Sequence, residues 1–335
     1  MYNNNKCMII AEAGVNHNGN LDIALELCLR AKEAGADVVK FQTWKTDKII
    51  TKKVKQADYQ ALNTGIQESQ FDMLKKLELS YDDFEKIKKY CDDIGIIFAS
   101  TADDEESLDF LINLGIPFIK IGSGDIGNIK FLRYIGTKKM PVIISTGMSS
   151  LAEIDISLNT LKDSGTNDIT ILHCTTNYPC PYEEVNLNAM VTLKNAFHLP
   201  VGYSDHTLGK DVAIAAKALG ATVIEKHFTL DRHMDGPDHL ASTEPNEFRN
   251  LVQAVRRVEI FMGSGIKFPT NSERKISKVV TKRIVAAKDI KKGELFTSEN
   301  LTVKRNDIGE KAVYWDFVIG KVSSKNYIID EGVII

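Results

Sequence analysis

The chain predicts a parallel (β/α)8 TIM barrel followed by a small β-rich domain, and three observations carry that prediction. Short β-branched apolar runs alternate with amphipathic segments, and the alternation repeats eight times. Gly35, Gly95, Gly115, Gly165 and Gly220 fall just after such segments, where a helix ends in a left-handed residue. Beyond about residue 280 the period changes to short alternating strands between tight turns. A doubly wound open sheet shares the first pattern, but no Gly-x-Gly-x-x-Gly turn follows the first strand.

The strand-like runs are residues 8–11, 38–41, 96–99, 118–121, 142–145, 169–172, 201–204 and 223–226. Between them, segments such as 21–33, 81–93, 151–162 and 211–219 place apolar residues three and four apart, the spacing of a helix face against a sheet. Residues 246–262 read as the last barrel helix, which closes a catalytic domain at 1–264. Gly265, Pro269 and Asn271 mark a linker over 265–280. Strands at 283–287, 301–304 and 321–323, with turns at Lys291-Lys292-Gly293-Glu294 and Asp330-Glu331-Gly332, make a second domain over 281–335. At roughly 55 residues it lies near the lower limit for an independent core and is expected to cover a barrel surface, its own or a second subunit's.

Composition narrows the function. The 335 residues are 43% apolar and 26% charged, as in a soluble globular enzyme. A net charge of −3, from 45 acidic against 42 basic residues, gives no case for a nucleic-acid partner. Residues 1–6 lead straight into a strand, which predicts no signal peptide, and the apolar runs are far short of the roughly 18 residues of a membrane span. Cys7, Cys28, Cys91, Cys174 and Cys180 are odd in number and form no C-x-x-C pair, which predicts a reduced, cytoplasmic protein. Cys174, beside His173, reads as a buried thiol rather than a nucleophile.

A barrel of this kind gathers its active site at the carboxyl ends of its strands. Those ends are polar here. They bring Glu12, then Lys40 and Gln42 on one strand face, Thr101, Lys120 with Ser123 and Asp125, Ser145, Thr176 with Tyr178, Ser204 with His206, and Glu225 with His227. Two buried lysines demand a partner of opposite charge. Lys40, Lys120, Thr101, Ser123, Ser145 and Ser204 therefore read as a cradle for a small phosphate or carboxylate, with structural salt bridges or a Schiff-base lysine as alternatives. His206 and His227 end neighbouring strands, and Glu225 shares a face with His227. Two imidazoles with oxygen donors and no cysteine set favour Mn²⁺ or Mg²⁺ over structural zinc.

The motifs that hold these residues resemble the sialic acid synthase family along nearly the whole chain. They include Ala11-Glu12-Ala13-Gly14-Val15-Asn16-His17-Asn18-Gly19, Lys40-Phe41-Gln42-Thr43, Lys120-Ile121-Gly122-Ser123-Gly124, Gly202-Tyr203-Ser204-Asp205-His206, Glu225-Lys226-His227-Phe228 and Gly236-Pro237-Asp238-His239. The runs from Ala287 to Glu294 and from Leu301 to Arg305 are similar to that family's antifreeze-like (SAF) module. The resemblance implies condensation of phosphoenolpyruvate with an N-acylated amino sugar, giving a nine-carbon 2-keto acid and phosphate. It implies a domain-swapped homodimer and a divalent metal, Mn²⁺ first, with Mg²⁺ or Co²⁺ as alternatives. The family's metal histidines fall on His206 and His227. Its phosphoenolpyruvate contacts fall on Lys40, Lys120, Thr101, Ser123, Thr176 and Ser204, and Gln42 and Ser145 complete the substrate-facing set. Sugar contacts fall on Asp125, Tyr178 and Asp238, with Arg305 reaching the N-acetyl group from a second subunit. Glu12 and Asp125 are then candidates to handle protons, and Glu225 to position the metal-bound water or its histidine.

Three departures stand out. Asp125 replaces the family's usual Glu, Asn306-Asp307 replaces Pro-Gly after Arg305, and Ala102-Asp103 replaces Pro-Phe after Thr101. As acceptor, N-acetylmannosamine, giving N-acetylneuraminate, is the first expectation, and a 2,4-diacetamido-trideoxy sugar, giving legionaminate, is the alternative. Residues 57–60, 63–65 and 68–70 are similar to bacterial members of both kinds. A non-catalytic sugar- or anion-binding protein and a Schiff-base aldolase are the rival classes.

Overall fold

Side chains alternate between the faces of a strand, and this chain uses its two faces for two cores. The computed structural model describes residues 6–56 and 67–335. Within it β1 (Met8–Gly14), β2 (Val38–Thr43), β3 (Ile97–Ala102), β4 (Ile119–Ile121), β5 (Val142–Ser145), β6 (Ile169–Cys174), β7 (Val201–Asp205) and β8 (Val223–His227) form a closed barrel in chain order. Every pair is parallel, and β8 returns to β1 with Glu12 opposite His227. Outward-facing Ile9, Ala11, Val39 and Phe41 pack with helix residues such as Leu27, Phe84, Leu132 and Leu158 in one continuous core. Inward-facing Met8, Ile10, Val38, Ala99, Phe118, Ile143, Leu172 and Val223 form a separate plug inside the barrel. At Gly202 the plug is so tight that a Cβ would lie 2.4 Å from the Val223 carbonyl oxygen.

Two residues further along each strand the inward face turns polar, and that switch makes the plug the floor of a site. The helices hold the strand ends in place and begin and end where local chemistry requires. Ser80 caps helix Tyr81–Ile94, and Ser150 with Glu153 forms a capping box on helix Leu151–Ser164. Gly35 and Gly95 close their helices with φ of 88° and 72°, a conformation that glycine adopts without strain.

The chain separates into two compact units, Met1–Gly263 and Ser264–Ile335. The segment expected to be a linker carries helix Asn271–Val280, started by a Thr270–Glu273 capping box. In the second unit β9 (Lys282–Ala286) and β10 (Leu301–Arg305) pair antiparallel over a core of Ile284, Phe296, Leu301, Val318 and Tyr327. Residues 321–323, expected as a third strand, do not form one. Val322 meets Leu295 in an isolated bridge, because Gly320 at φ 82° and a bend at 324–325 leave too few residues to extend it. Among the described residues no helix is long and apolar enough to cross a membrane. The 57–65 part of the stretch similar to bacterial sialic acid synthases lies outside the described residues.

Candidate active site

The first polar layer above the plug is charged. Lys40 Nζ lies 2.6 Å from Glu12 Oε2, 3.0 Å from Thr101 Oγ1 and 3.8 Å from Glu225 Oε2. Lys120 Nζ donates to Ser145 Oγ at 2.8 Å and lies 3.3 Å from Glu225 Oε1. Gln42 Nε2 donates to Glu12 Oε1 at 3.0 Å, and Ser204 Oγ donates to Glu225 at 3.3 Å. Lys40 and Lys120 are 2% and 3% exposed, so each ammonium depends on these partners for its charge.

Burial and neighbours push the four groups in different directions. Loss of solvation lifts Glu12 to about 7, against the pull of Lys40. Glu225 is buried as deeply, but Lys120, Lys40 and His227 outweigh that and hold it down at about 2. Burial works against the Lys40 ammonium, yet Glu12 and Glu225 keep its pKa above the usual value. For Lys120 burial wins and the pKa falls. The two lysines and two glutamates therefore cancel in charge, with Glu12 as the member ready to take a proton.

One step higher stand Gln42, Asp103, His206 and His227. The His206 and His227 ring centroids are 5.5 Å apart, and the Tyr178 ring lies 4.1 Å from the first and 5.5 Å from the second. His206 Nδ1 donates to the Thr175 carbonyl at 2.7 Å, which in the neutral ring leaves Nε2 as a lone-pair donor. His227 Nδ1 is buried with no hydrogen-bond partner among the described residues, and burial with the nearby His206 and Lys40 holds the ring well below its usual pKa. A neutral imidazole with an orphaned nitrogen, facing a second imidazole, fits a divalent cation. Glu225, expected beside the metal, is engaged instead by the two lysines, which draw its carboxylate to the layer below. Among the described residues no group of three His, Cys, Asp or Glu is placed to hold an ion, so the two imidazoles are the ligand set that these residues bring together.

Behind the histidines the strand ends are tied from outside the barrel. Lys226 Nζ lies 2.8 Å from Asp205 Oδ2 and donates to the Thr207 carbonyl at 2.6 Å, while Asp205 Oδ1 accepts from Thr207 N and Oγ1 at 2.9 and 2.7 Å. Asp205 and Lys226 face each other in the β7–β8 ladder, and each directly precedes a histidine.

A cavity of about 190 Å³ gathers the expected residues of both layers, from Glu12 to His227, with Ser123, Thr176 and Tyr178 on its wall. Three expected residues are not among its lining. Asp125 ends a short turn after β4 and accepts from Asn128 Nδ2 at 2.9 Å. Asp238 is half-buried, and loss of solvation raises it to about 6 against the pull of His206. Arg305 lies in the second unit, exposed at the end of β10 opposite Lys282. His173 bonds the Val185 carbonyl through Nε2 at 2.7 Å. The cavity also holds residues not expected to be functional, Cys174 and Asp103. The buried Cys174 has its Sγ 3.7 Å from His206 Nδ1. Asp103 is pushed up to about 7, first by loss of solvation and then by Asp125. The strand alternation that points Thr101 inward points Asp103 inward as well, and that was the signal to read.

Gly147 sits where backbone must pass close to the cavity wall. A Cβ there would lie 2.1 Å from Thr176 Oγ1 and 2.9 Å from Ser123 Oγ. Gly147→Ala is expected to displace both hydroxyls and to raise the KM for an anionic substrate that they help to hold about tenfold to a hundredfold. Steady-state kinetics would show it, and an unchanged KM would remove Ser123 and Thr176 from the anion site.

Comparison with known proteins gives a consistent picture. The NeuB family model matches residues 27–267, and an SAF domain model matches residues 282–333. The chain is 49% identical over 328 residues to the N,N'-diacetyllegionaminic acid synthase of Campylobacter jejuni, covering 97% of this chain and 98% of that one. It is 47% identical to the enzyme of the same name from Legionella pneumophila, covering 96% and 91%. Among solved structures, the N-acetylneuraminic acid synthetase of Leptospira borgpetersenii, in complex with citrate, superposes with a TM-score of 0.73 at 33% identity, covering 82% of this chain and 90% of that one.

Proposed function

The chain belongs to the NeuB family and carries a C-terminal SAF domain, and from that premise we propose that it condenses phosphoenolpyruvate with a 2,4-diacetamido-trideoxyhexose to give a legionaminate-type 2-keto acid and phosphate. The acceptor corrects the first expectation, N-acetylmannosamine. Relatives 49% and 47% identical are N,N'-diacetyllegionaminic acid synthases, whereas the N-acetylneuraminic acid synthetase matched by structure is 33% identical. The motifs that led to the first expectation are shared with both kinds of bacterial enzyme and do not show which groups face sugar positions 4 and 6, so they did not separate the two acceptors.

The observation that carries the reading is the layering of the barrel interior. An apolar plug supports two buried lysines, and two histidines stand above them. Lys40 and Lys120 would take the carboxylate and phosphate, with Thr101, Ser123, Ser145, Thr176 and Ser204 as hydroxyl donors. Gln42 holds Glu12 from the side. Bringing an anion into a charge-balanced floor favours protonation of Glu12, which then has a proton to give as phosphate leaves. His206 and His227 would hold a divalent cation such as Mn²⁺, which when bound polarises the acceptor's aldehyde carbonyl. C3 of phosphoenolpyruvate bonds to that carbonyl carbon, water adds at C2, and the C2–O bond to phosphate breaks. Asp125 and Asp238 would align the acceptor under Tyr178. The same reading includes a homodimer in which Arg305 of a second copy reaches an acetamido group.

The test is phosphate release from phosphoenolpyruvate with Mn²⁺, run in parallel on the 2,4-diacetamido sugar and on N-acetylmannosamine. Release at least tenfold faster at low concentration of the diacetamido sugar is expected. Release with N-acetylmannosamine alone, or with neither sugar in metal-loaded protein, would overturn the reading.

A further inference from the structure

Asp103 stands at the upper layer of the site and, among the described residues, its carboxylate has no hydrogen-bond donor, Lys40 in the layer below being the one cation that acts on it. Its amide donates to the Thr43 carbonyl at 3.2 Å, so the β2–β3 ladder continues one residue past β3 and keeps the alternation. Asp103 therefore shares the face of Thr101 and sits one two-residue step, roughly 6–7 Å, above the layer in which Thr101 meets Lys40. It lines the same cavity as Lys40, His206 and His227.

The other carboxylates of this wall are engaged. Asp104 accepts from Lys45 N, Ser107 N and Ser107 Oγ at 2.9, 2.9 and 2.6 Å. Asp125 accepts from Asn128, and Glu12 pairs with Lys40. No donor among the described residues takes the Asp103 carboxylate. The charges acting on it are Asp125, Asp104 and Glu12 of its own sign and Lys40 of the other. An anion resting on the two lysines fills the lower layer, so the second substrate, which must reach its reactive carbon from above, meets Asp103.

We propose that Asp103 selects the acceptor, taking a hydrogen bond from an N–H or O–H of an uncharged amino sugar and turning away an acceptor that carries a phosphate. The proposal rests on the reading of this site as one that condenses phosphoenolpyruvate with an amino sugar. A hydrogen bond to a carboxylate is worth about tenfold to a hundredfold in affinity. Above about pH 7, where the Asp103 carboxylate carries its charge, like charges roughly 6 Å apart at an effective dielectric near 20 repel by about a hundredfold. Both effects favour the uncharged acceptor.

Phosphate release at saturating phosphoenolpyruvate and Mn²⁺ tests this in the wild type, Asp103→Asn and Asp103→Ala. The acceptors are the 2,4-diacetamido sugar, N-acetylmannosamine and N-acetylmannosamine 6-phosphate. Asp103→Ala should raise the KM for the reacting uncharged sugar at least tenfold and leave the KM for phosphoenolpyruvate within twofold. Asp103→Asn should narrow the discrimination against the 6-phosphate at least tenfold. An unchanged acceptor KM in Asp103→Ala, or a wild type that takes the 6-phosphate as readily as the free sugar, would overturn the assignment. If N-acetylmannosamine alone reacts, the legionaminate reading falls while the Asp103 comparison is read on that sugar. Calorimetric binding of phosphoenolpyruvate to each variant checks that the lysine layer is intact.

Discussion

Glu225→Gln is expected to cost about 3–5 kcal/mol of stability at neutral pH and to reduce turnover to background. The side chain lies between Lys120 and Lys40, at 3.3 and 3.8 Å, and is buried. Removing its charge leaves two ammonium groups to share Glu12, and breaking a buried ion pair from one side costs that much because the other charge stays buried. The pH dependence has a definite sign. Glu225 is held at about 2 in the folded protein, against an ordinary 4.5, so its contribution is complete above pH 4.5 and is lost as pH falls through that range toward 2. Urea unfolding of wild type and variant should therefore diverge at pH 7 and converge in strong acid. Added inorganic phosphate should stabilise the variant more than the wild type, since the anion restores the missing charge. Equal stability at pH 7 would mean that the two lysines do not depend on Glu225 for their charge.

His227→Ala is expected to behave in the opposite way, with little effect on the fold and a loss of at least about a thousandfold in Mn²⁺-dependent turnover, equivalent to about 4 kcal/mol of transition-state stabilisation. His227 Nδ1 has no hydrogen-bond partner among the described residues, so deleting the ring removes an unsatisfied polar atom along with some packing. The variant should bind phosphoenolpyruvate normally, because the lysine layer lies one step below. Mn²⁺ binding followed by electron paramagnetic resonance gives a readout independent of turnover, and affinity equal to wild type would remove His227 as a ligand.

The barrel and most of the site were legible in the chain because both follow from a two-residue period. The strand runs gave the faces, and the residues after each apolar pair, Lys40 after Val38, Lys120 after Phe118 and Glu225 after Val223, had to point inward. What was not legible depended on pairing across strands. Nothing in the local sequence shows that Glu12 is the partner of Lys40, or that Glu225 leans to the lysines rather than the histidines, since both follow from the register of β1 and β8 against their neighbours. Asp103 was passed over for a different reason. It entered the sequence argument as the replacement of a stiff loop, when its place two residues beyond Thr101 already put a carboxylate over the cavity. The residues expected to contact the sugar, Asp125, Tyr178 and Asp238, lie beyond the strand ends, where no periodicity places a side chain.

The Asp205–Lys226 tie behind the histidines sets how the site responds to being filled. Because the two strand ends are fastened to each other from outside the barrel, the imidazoles lose their freedom when the chain folds and not when an ion arrives. Occupancy of the mouth should then change the energy of the pair far more than its shape, so that affinity is governed by desolvation and charge and hardly at all by rearrangement. A pair of imidazoles fixed in this way is expected to discriminate among the cations offered to it by which of them tolerates the spacing already set.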